Sequence, residues 1–211
     1  MLEPVRRTYS SPLRAESARR TRVLVRDAAA RLFVDRGYVS TTVRTVAEAA
    51  GVATRTVFTA FPGGKAELFH EALAAAIEGG DDSMPTAYAS ASRDGDPVER
   101  ILDEVVGYGA DVLERAGTLM LTSIKSSGAD EDMRRFAEEG ARASAANAMT
   151  LAEGLAAHDL LRPEISVQRA ADVLFTVVSP QVHSMLRHDC GWDIDEYRNW
   201  VKEMIRASLL H

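Results

Sequence analysis

One cysteine, Cys190, is all the thiol chemistry that the 211-residue chain contains. A single thiol excludes an intramolecular disulfide and fits a reducing compartment. No run of eighteen apolar residues occurs, so no transmembrane helix is expected. Arg6, Arg7 and Arg14 have no apolar stretch behind them, which argues against a secretory signal. Catalytic motifs are missing too: there is no CxxC, HExxH or paired Cys/His spacing, no GxxxxGK[ST], and no GxGxxG between a strand and a helix. His158, His183, His188 and Cys190 are the remaining candidate ligands or bases. His183 and His188 stand five apart, which on an α-helix turns them to different faces. Neither catalysis, a metal site nor a cofactor is expected. Strand-type alternation is absent as well. These absences leave an all-α, soluble, intracellular protein that is not an enzyme.

What is present is ordinary in amount and uneven in placement. Hydrophobic residues make up 46% and charged residues 27%, values of a soluble globular chain, and the length suffices to bury a core. The net charge is −6, but residues 1–70 hold twelve Lys/Arg against six Asp/Glu, giving +6. Residues 71–211 hold thirteen against twenty-five, giving −12, and the two parts sum to −6. A basic N-terminal part can neutralise phosphates while an acidic remainder discourages nonspecific wrapping.

The stretch 41–69 organises the basic part. Val43, Val46, Ala47 and Ala50 fall at i, i+3, i+4 and i+7, the apolar face of a short helix, and Gly51 supplies the left-handed stop. A second short helix begins near Ala53–Thr54 with Val57, Phe58 and Phe61 as its inward side, and Pro62-Gly63-Gly64 ends it. Two short helices joined by a glycine turn outline a helix-turn-helix, whose second helix enters the DNA major groove. Thr54, Arg55, Thr56 and Thr59 are its outward, hydrogen-bonding residues, and Lys65 opens the next helix as a point charge for a phosphate. Upstream, Val25, Ala28, Ala29, Leu32 and Phe33 form the inner stripe of a helix from Arg19 to about Asp35, with Gly37 as its stop. Phe33 is expected to hold the three helices together.

These words, AAARLFVDRGYVSTTVRTVAEAAGVATRTVFTAF followed by KAELF, resemble the N-terminal DNA-binding domain of the tetracycline-repressor (TetR) family of bacterial transcriptional regulators over residues 19–70. Phe58 stands where that family usually has a phosphate-binding Tyr, so the hydroxyl contact is missing. Ala53 stands where a Ser usually caps the recognition helix, leaving Thr54 as the expected cap. The linker Pro62-Gly63-Gly64-Lys65 is one residue longer than the common one. The resemblance implies a cytoplasmic, nucleoid-associated homodimer that represses transcription from a near-palindromic double-stranded operator and is released by a small-molecule effector. Arg55, Thr56 and Thr59 are then expected to read bases, with Thr42, Arg44, Thr54 and Lys65 on phosphates and Phe58 in the same DNA-facing set. A helical sensor or interaction protein that no longer reads DNA is the alternative.

The rest of the chain reads as helices. Residues 1–18 suggest a mobile basic arm, 19–64 the DNA-binding domain and 65–211 a helical regulatory and dimerisation domain. Residues 65–79 form a helix, and 79–96 a loop that ends in an Asp96-Pro97 start signal. A long apolar stripe runs from Val98 to Leu113, a shorter helix is expected over 118–127, and a long one runs from Asp130 to about His158. Two helices close the chain, one capped by Ser166 and the other opened by the Asp193/Glu196 capping box. Pro180 predicts a kink near Phe175–Ser179. By the resemblance these last helices, 166–187 and 194–209, pair with their twins in the dimer. Tyr108, Met120, Phe136, Met149, Phe175 and Met185 are the candidate lining of an effector pocket between the middle helices.

Overall fold

The computed structural model describes residues 12–79 and 98–211. Among them every named element is helical: α1 (Pro12–Ser40), α2 (Val43–Ala49), α3 (Thr54–Ala60), α4 (Gly64–Glu78), α5 (Val98–Ser126), α6 (Glu131–Ala157), α7 (Val167–Val177), α8 (Pro180–Ser184), a π-helical turn (Met185–Asp189) and α9 (Ile194–Leu209). The chain divides into two compact units between Ala72 and Leu73, within α4. The Asp96-Pro97 signal, most of the expected 79–96 loop and residues 1–11 of the expected arm lie outside the described residues.

In the first unit α1 buries the predicted stripe, with Val25, Ala28, Ala29 and Phe33 fully enclosed. The helix is longer than its stripe: it starts at Pro12, so residues 12–18 of the expected arm are helical. Gly37, at φ 75°, interrupts it where the stop is expected, a conformation open to glycine at little cost. Beyond the break the buried Thr41 hydroxyl donates to the Leu32 and Gly37 carbonyls (3.1 and 2.9 Å), tying the chain reversal to the end of α1. Phe33 stacks on Tyr38 at 5.6 Å between ring centroids and meets the edge of Phe69 at 5.3 Å, so α1, its C-terminal turn and α4 share one aromatic cluster. Arg22 adds a polar clasp. Its guanidinium donates to the Ala60 carbonyl at the end of α3, pairs with Glu71 of α4 at 2.8 Å, and lies 4.3 Å from the centre of the Phe61 ring.

The second unit departs from the expected helix list in two places. The predicted helix over 118–127 is not separate: α5 runs unbroken from Val98 to Ser126. Gly117 in its middle is a packing residue rather than a break, since a Cβ there would lie 3.7 Å from His183 Nδ1. Nor does Pro180 kink a continuous helix. α7 ends at Val177, Ser179 takes extended backbone angles and caps Val182 N–H, and Pro180 becomes the first residue of α8. Proline is tolerated there because that N–H has no helical partner to lose. The core joins Leu102, Val106, Ala110 and Leu113 of α5 to Ala148, Ala152 and Leu155 of α6, Ala170, Ala171 and Leu174 of α7, and Tyr197, Val201, Ile205 and Leu209 of α9. Outside it, acids on one side of α5 meet bases of α9 in antiparallel order: Glu99 with Arg206, Asp103 with Lys202, and Asp111 with Arg198.

Candidate nucleic-acid interface and effector cavity

The helix-turn-helix is built by α2, the turn at Gly51 (φ 65°) and α3. Val46, Ala47 and Ala50 are buried under α2, and Val57 and Phe61 under α3. A start cap holds α2: Thr42 Oγ1 accepts from Thr45 N–H at 3.1 Å, and Thr45 Oγ1 accepts in return from Thr42 N–H at 3.0 Å. α3 has no such device. Its N-cap is Ala53 without any side-chain bond, and Thr54, expected to cap, lies inside the helix. A threonine oxygen needs the extended N-cap position to reach back to a free N–H, and here Ala53 occupies it.

On the outer side of α3, Thr54, Arg55, Phe58 and Thr59 are exposed, and Thr56 is half-buried. Phe58 is 50% exposed, which corrects its assignment to the inward side; Val57 and Phe61 alone carry that role. The Thr59 hydroxyl donates to the Arg55 carbonyl at 2.9 Å, which leaves its lone pairs for an incoming donor. On α2, Thr42 and Arg44 are exposed, Arg44 lying 3.8 Å from Glu48 in a loose i,i+4 pair. Lys65 is half-buried; its Nζ donates to the Tyr38 carbonyl at 2.9 Å and lies 4.0 Å from the centre of the Tyr38 ring. α4 begins with Gly64 at φ 66°, and Glu67 accepts from Gly63 N–H at 2.7 Å. The lengthened linker is thus closed by its own glycines and Glu67.

The second unit contains a cavity of about 270 Å³ walled chiefly by α5, α6 and α7, with Ile77, Pro180 and Ile205 also on its wall. Tyr108, Met120 and Phe175 of the predicted lining are on its wall. The other three are not. Phe136 sits one helical turn before Gly140, the first α6 residue on the wall, with the Arg135 guanidinium 5.8 Å from its ring centre. Met149 packs against the hydrophobic core, and Met185, beyond the Pro180 break, is 50% exposed. Ser144, Asn147 and Gly109 are wall residues outside the expected lining. Gly109 admits Val178, whose Cγ1 would lie 3.0 Å from a Cβ at that position.

A second polar cluster lies beside α8. The His183 side chain is buried, and its Nε2 is 2.9 Å from Glu114 Oε1. Arg187 holds the same carboxylate through two bonds, Nε at 2.7 Å and a terminal nitrogen at 3.0 Å, and also donates to the Trp192 carbonyl. The hydrogen bond from Arg187 keeps the Glu114 carboxyl below its usual range, while burial pushes the His183 imidazole below its own. The π-helical turn revises the expected geometry of the histidines. Cys190 N–H bonds to the Met185 carbonyl, five residues back, and the His183 and His188 rings come to 6.4 Å. Residues five apart share a face when the helix widens to i→i+5 bonding.

The first unit has a helix-turn-helix arrangement, α2 and α3 joined by the Gly51 turn beside α1, and the second is a helical unit with a cavity. Residues 25–72 match the family model of bacterial regulatory proteins, tetR family. No curated protein matches it. Among solved structures it is similar to NalD, the secondary repressor of the MexAB-OprM multidrug efflux pump in Pseudomonas aeruginosa, at 23% identity and TM-score 0.70, covering 92% of this chain and 98% of that one. The SmeT–triclosan complex aligns at 20% identity and TM-score 0.68, covering 91% and 92%. A transcriptional regulator from Saccharomonospora viridis in complex with choline aligns at 18% and 0.66, covering 92% and 99%. At these identities the likeness is one of fold. No helix among the described residues is long and apolar enough to cross a membrane.

Proposed function

We propose that the chain is a homodimeric transcriptional repressor that binds a near-palindromic operator and leaves it when a small molecule occupies the cavity. The observation that carries this reading is α3, which buries Val57 and Phe61 while exposing Thr54, Arg55 and Thr59 on the side a major groove would meet. Arg55, Thr56 and Thr59 read base edges; Thr42, Arg44, Thr54 and Lys65 position phosphates, with Phe58 against the backbone. The resemblance to a repressor of an efflux pump and to regulators solved with triclosan and with choline supports repression and effector control. The exposed Phe175 and Met185 support pairing of residues 166–187, together with 194–209, across a two-fold axis. Linkage then requires that operator and effector weaken each other by the same factor.

Selection from a random DNA pool followed by footprinting tests the reading. The expected product is a site with two-fold symmetry and half-sites about 34 Å apart, one helical turn. A pool that returns no enriched sequence would favour instead a sensor or interaction protein that no longer reads DNA. The exposed Phe58 and the uncapped start of α3 are the features that would favour it.

A further inference from the structure

We infer that the cavity of the second unit selects an uncharged, largely apolar ligand with one hydrogen-bonding group, and discriminates against carboxylates and ammonium ions of the same size. The inference rests on the effector reading above and narrows it to a ligand class. A cavity of about 270 Å³ has room for a small organic molecule.

The wall carries no Asp, Glu, Lys, Arg or His. Its polar groups are the Tyr108 phenol, the Ser144 hydroxyl and the Asn147 amide, in a lining otherwise of aliphatic side chains, Met120, Phe175 and Pro180. On α5 the charges nearest in sequence to the wall are committed elsewhere. α5 contributes Tyr108, Gly109, Val112 and Leu113 to the wall, yet sends Asp111 to Arg198 and Glu114 to Arg187 and His183. Arg115 donates to the Ala76 and Ile77 carbonyls at 3.3 and 3.4 Å. An ion entering this space would shed hydration without meeting a counter-charge, and that loss is what excludes unpaired ions from protein interiors. Burial raises the Tyr108 phenol above its ordinary value, in keeping with surroundings that disfavour negative charge. On α6 the wall residues Gly140, Ala143 and Ser144 are exposed, and a Cβ at Gly140 would meet nothing within 4 Å, so this is the open part of the wall. Gly109 and Val178 pack closely where α5 meets the end of α7.

The test uses three molecules of one chain length, octanol, octanoate and octylammonium, titrated calorimetrically into the full-length protein near neutral pH, where the last two are ionised. Octanol is expected to bind at least about tenfold more tightly than either ion. Equal or tighter binding of octanoate or octylammonium would overturn the ligand class while leaving a working cavity. Failure of all three would overturn the class and the effector reading together, and DNA binding by the same preparation would show that the regulator reading survives. Gly140→Phe, placed at the open side, is expected to abolish octanol binding; undiminished binding would put the site elsewhere and overturn the inference. Ser144→Asp, at an exposed position that tolerates a carboxylate, is expected to raise octylammonium affinity relative to octanol. An unchanged ranking in that variant would contradict selection by an uncharged wall.

Discussion

Arg55 presents a guanidinium on the exposed side of α3, where two parallel donors can meet the two acceptors of a guanine edge. Arg55→Ala should cost about 1–3 kcal/mol of operator binding and relax preference at one base position. A uniform loss on every sequence would make it a phosphate contact instead, which competition between single-base operator variants distinguishes. Phe58 offers the converse experiment. Its ring is exposed on α3, so if this side meets the DNA backbone as proposed, Phe58→Tyr should strengthen binding by about 0.5–1.5 kcal/mol on operator and random DNA alike. No change in either titration would remove Phe58 from the DNA-facing set. The sequence made Phe58 legible as a departure from a motif and misplaced it as core, because in a helix of seven residues one position of phase separates inside from outside. Arg22 illustrates a role that no local pattern carries: its partners Ala60 and Glu71 lie 38 and 49 residues away, so nothing near it in the chain marks the clasp.

Among the elements, α8 and the π-helical turn hold the one buried histidine against α5. The unfolded chain takes up a proton at the ordinary histidine value of about 6.5, whereas folded His183 does so only at lower pH. Stability attributable to neutral His183 is therefore complete above about pH 6.5 and is lost as pH falls below it, with a slope of at most about 1.4 kcal/mol per pH unit. Glu114, also lowered, adds its own loss in a separate, more acid window below the ordinary carboxylate value. Melting temperatures should therefore fall between pH 7 and 5.5, and His183→Gln should flatten that decline; an equally steep decline in the variant would refute the assignment. Periodicity located α7 and α9 well, because a buried stripe repeats every 3.6 residues whatever its partners are. It could not show that α5 continues through Gly117 or that Ser179 and Pro180 start a new helix. Those outcomes depend on His183 packing at Gly117 and on Ser179 capping Val182, contacts set by the tertiary structure. The cavity follows the same rule. Tyr108, Met120 and Phe175 were readable as large side chains at helical spacing, while Gly109, Ser144 and Asn147 become wall residues only once three helices meet.

For the whole molecule, the division of charge into a +6 N-terminal third and a −12 remainder is what a protein would need to meet DNA with one part and avoid it with the other. A homodimer doubles the number of reading heads and makes operator symmetry obligatory. Light scattering at micromolar concentration should return twice the mass of the chain, and a persistent monomer mass would remove the two-fold geometry on which the operator prediction stands. The most direct test of the central claim is competition between the selected operator and random DNA at two salt concentrations. Sequence-specific reading predicts that the operator is preferred by about a thousandfold or more, and that affinity falls steeply with salt as phosphate counterions are released. Equal affinity for both DNAs, or binding that ignores salt, would contradict it.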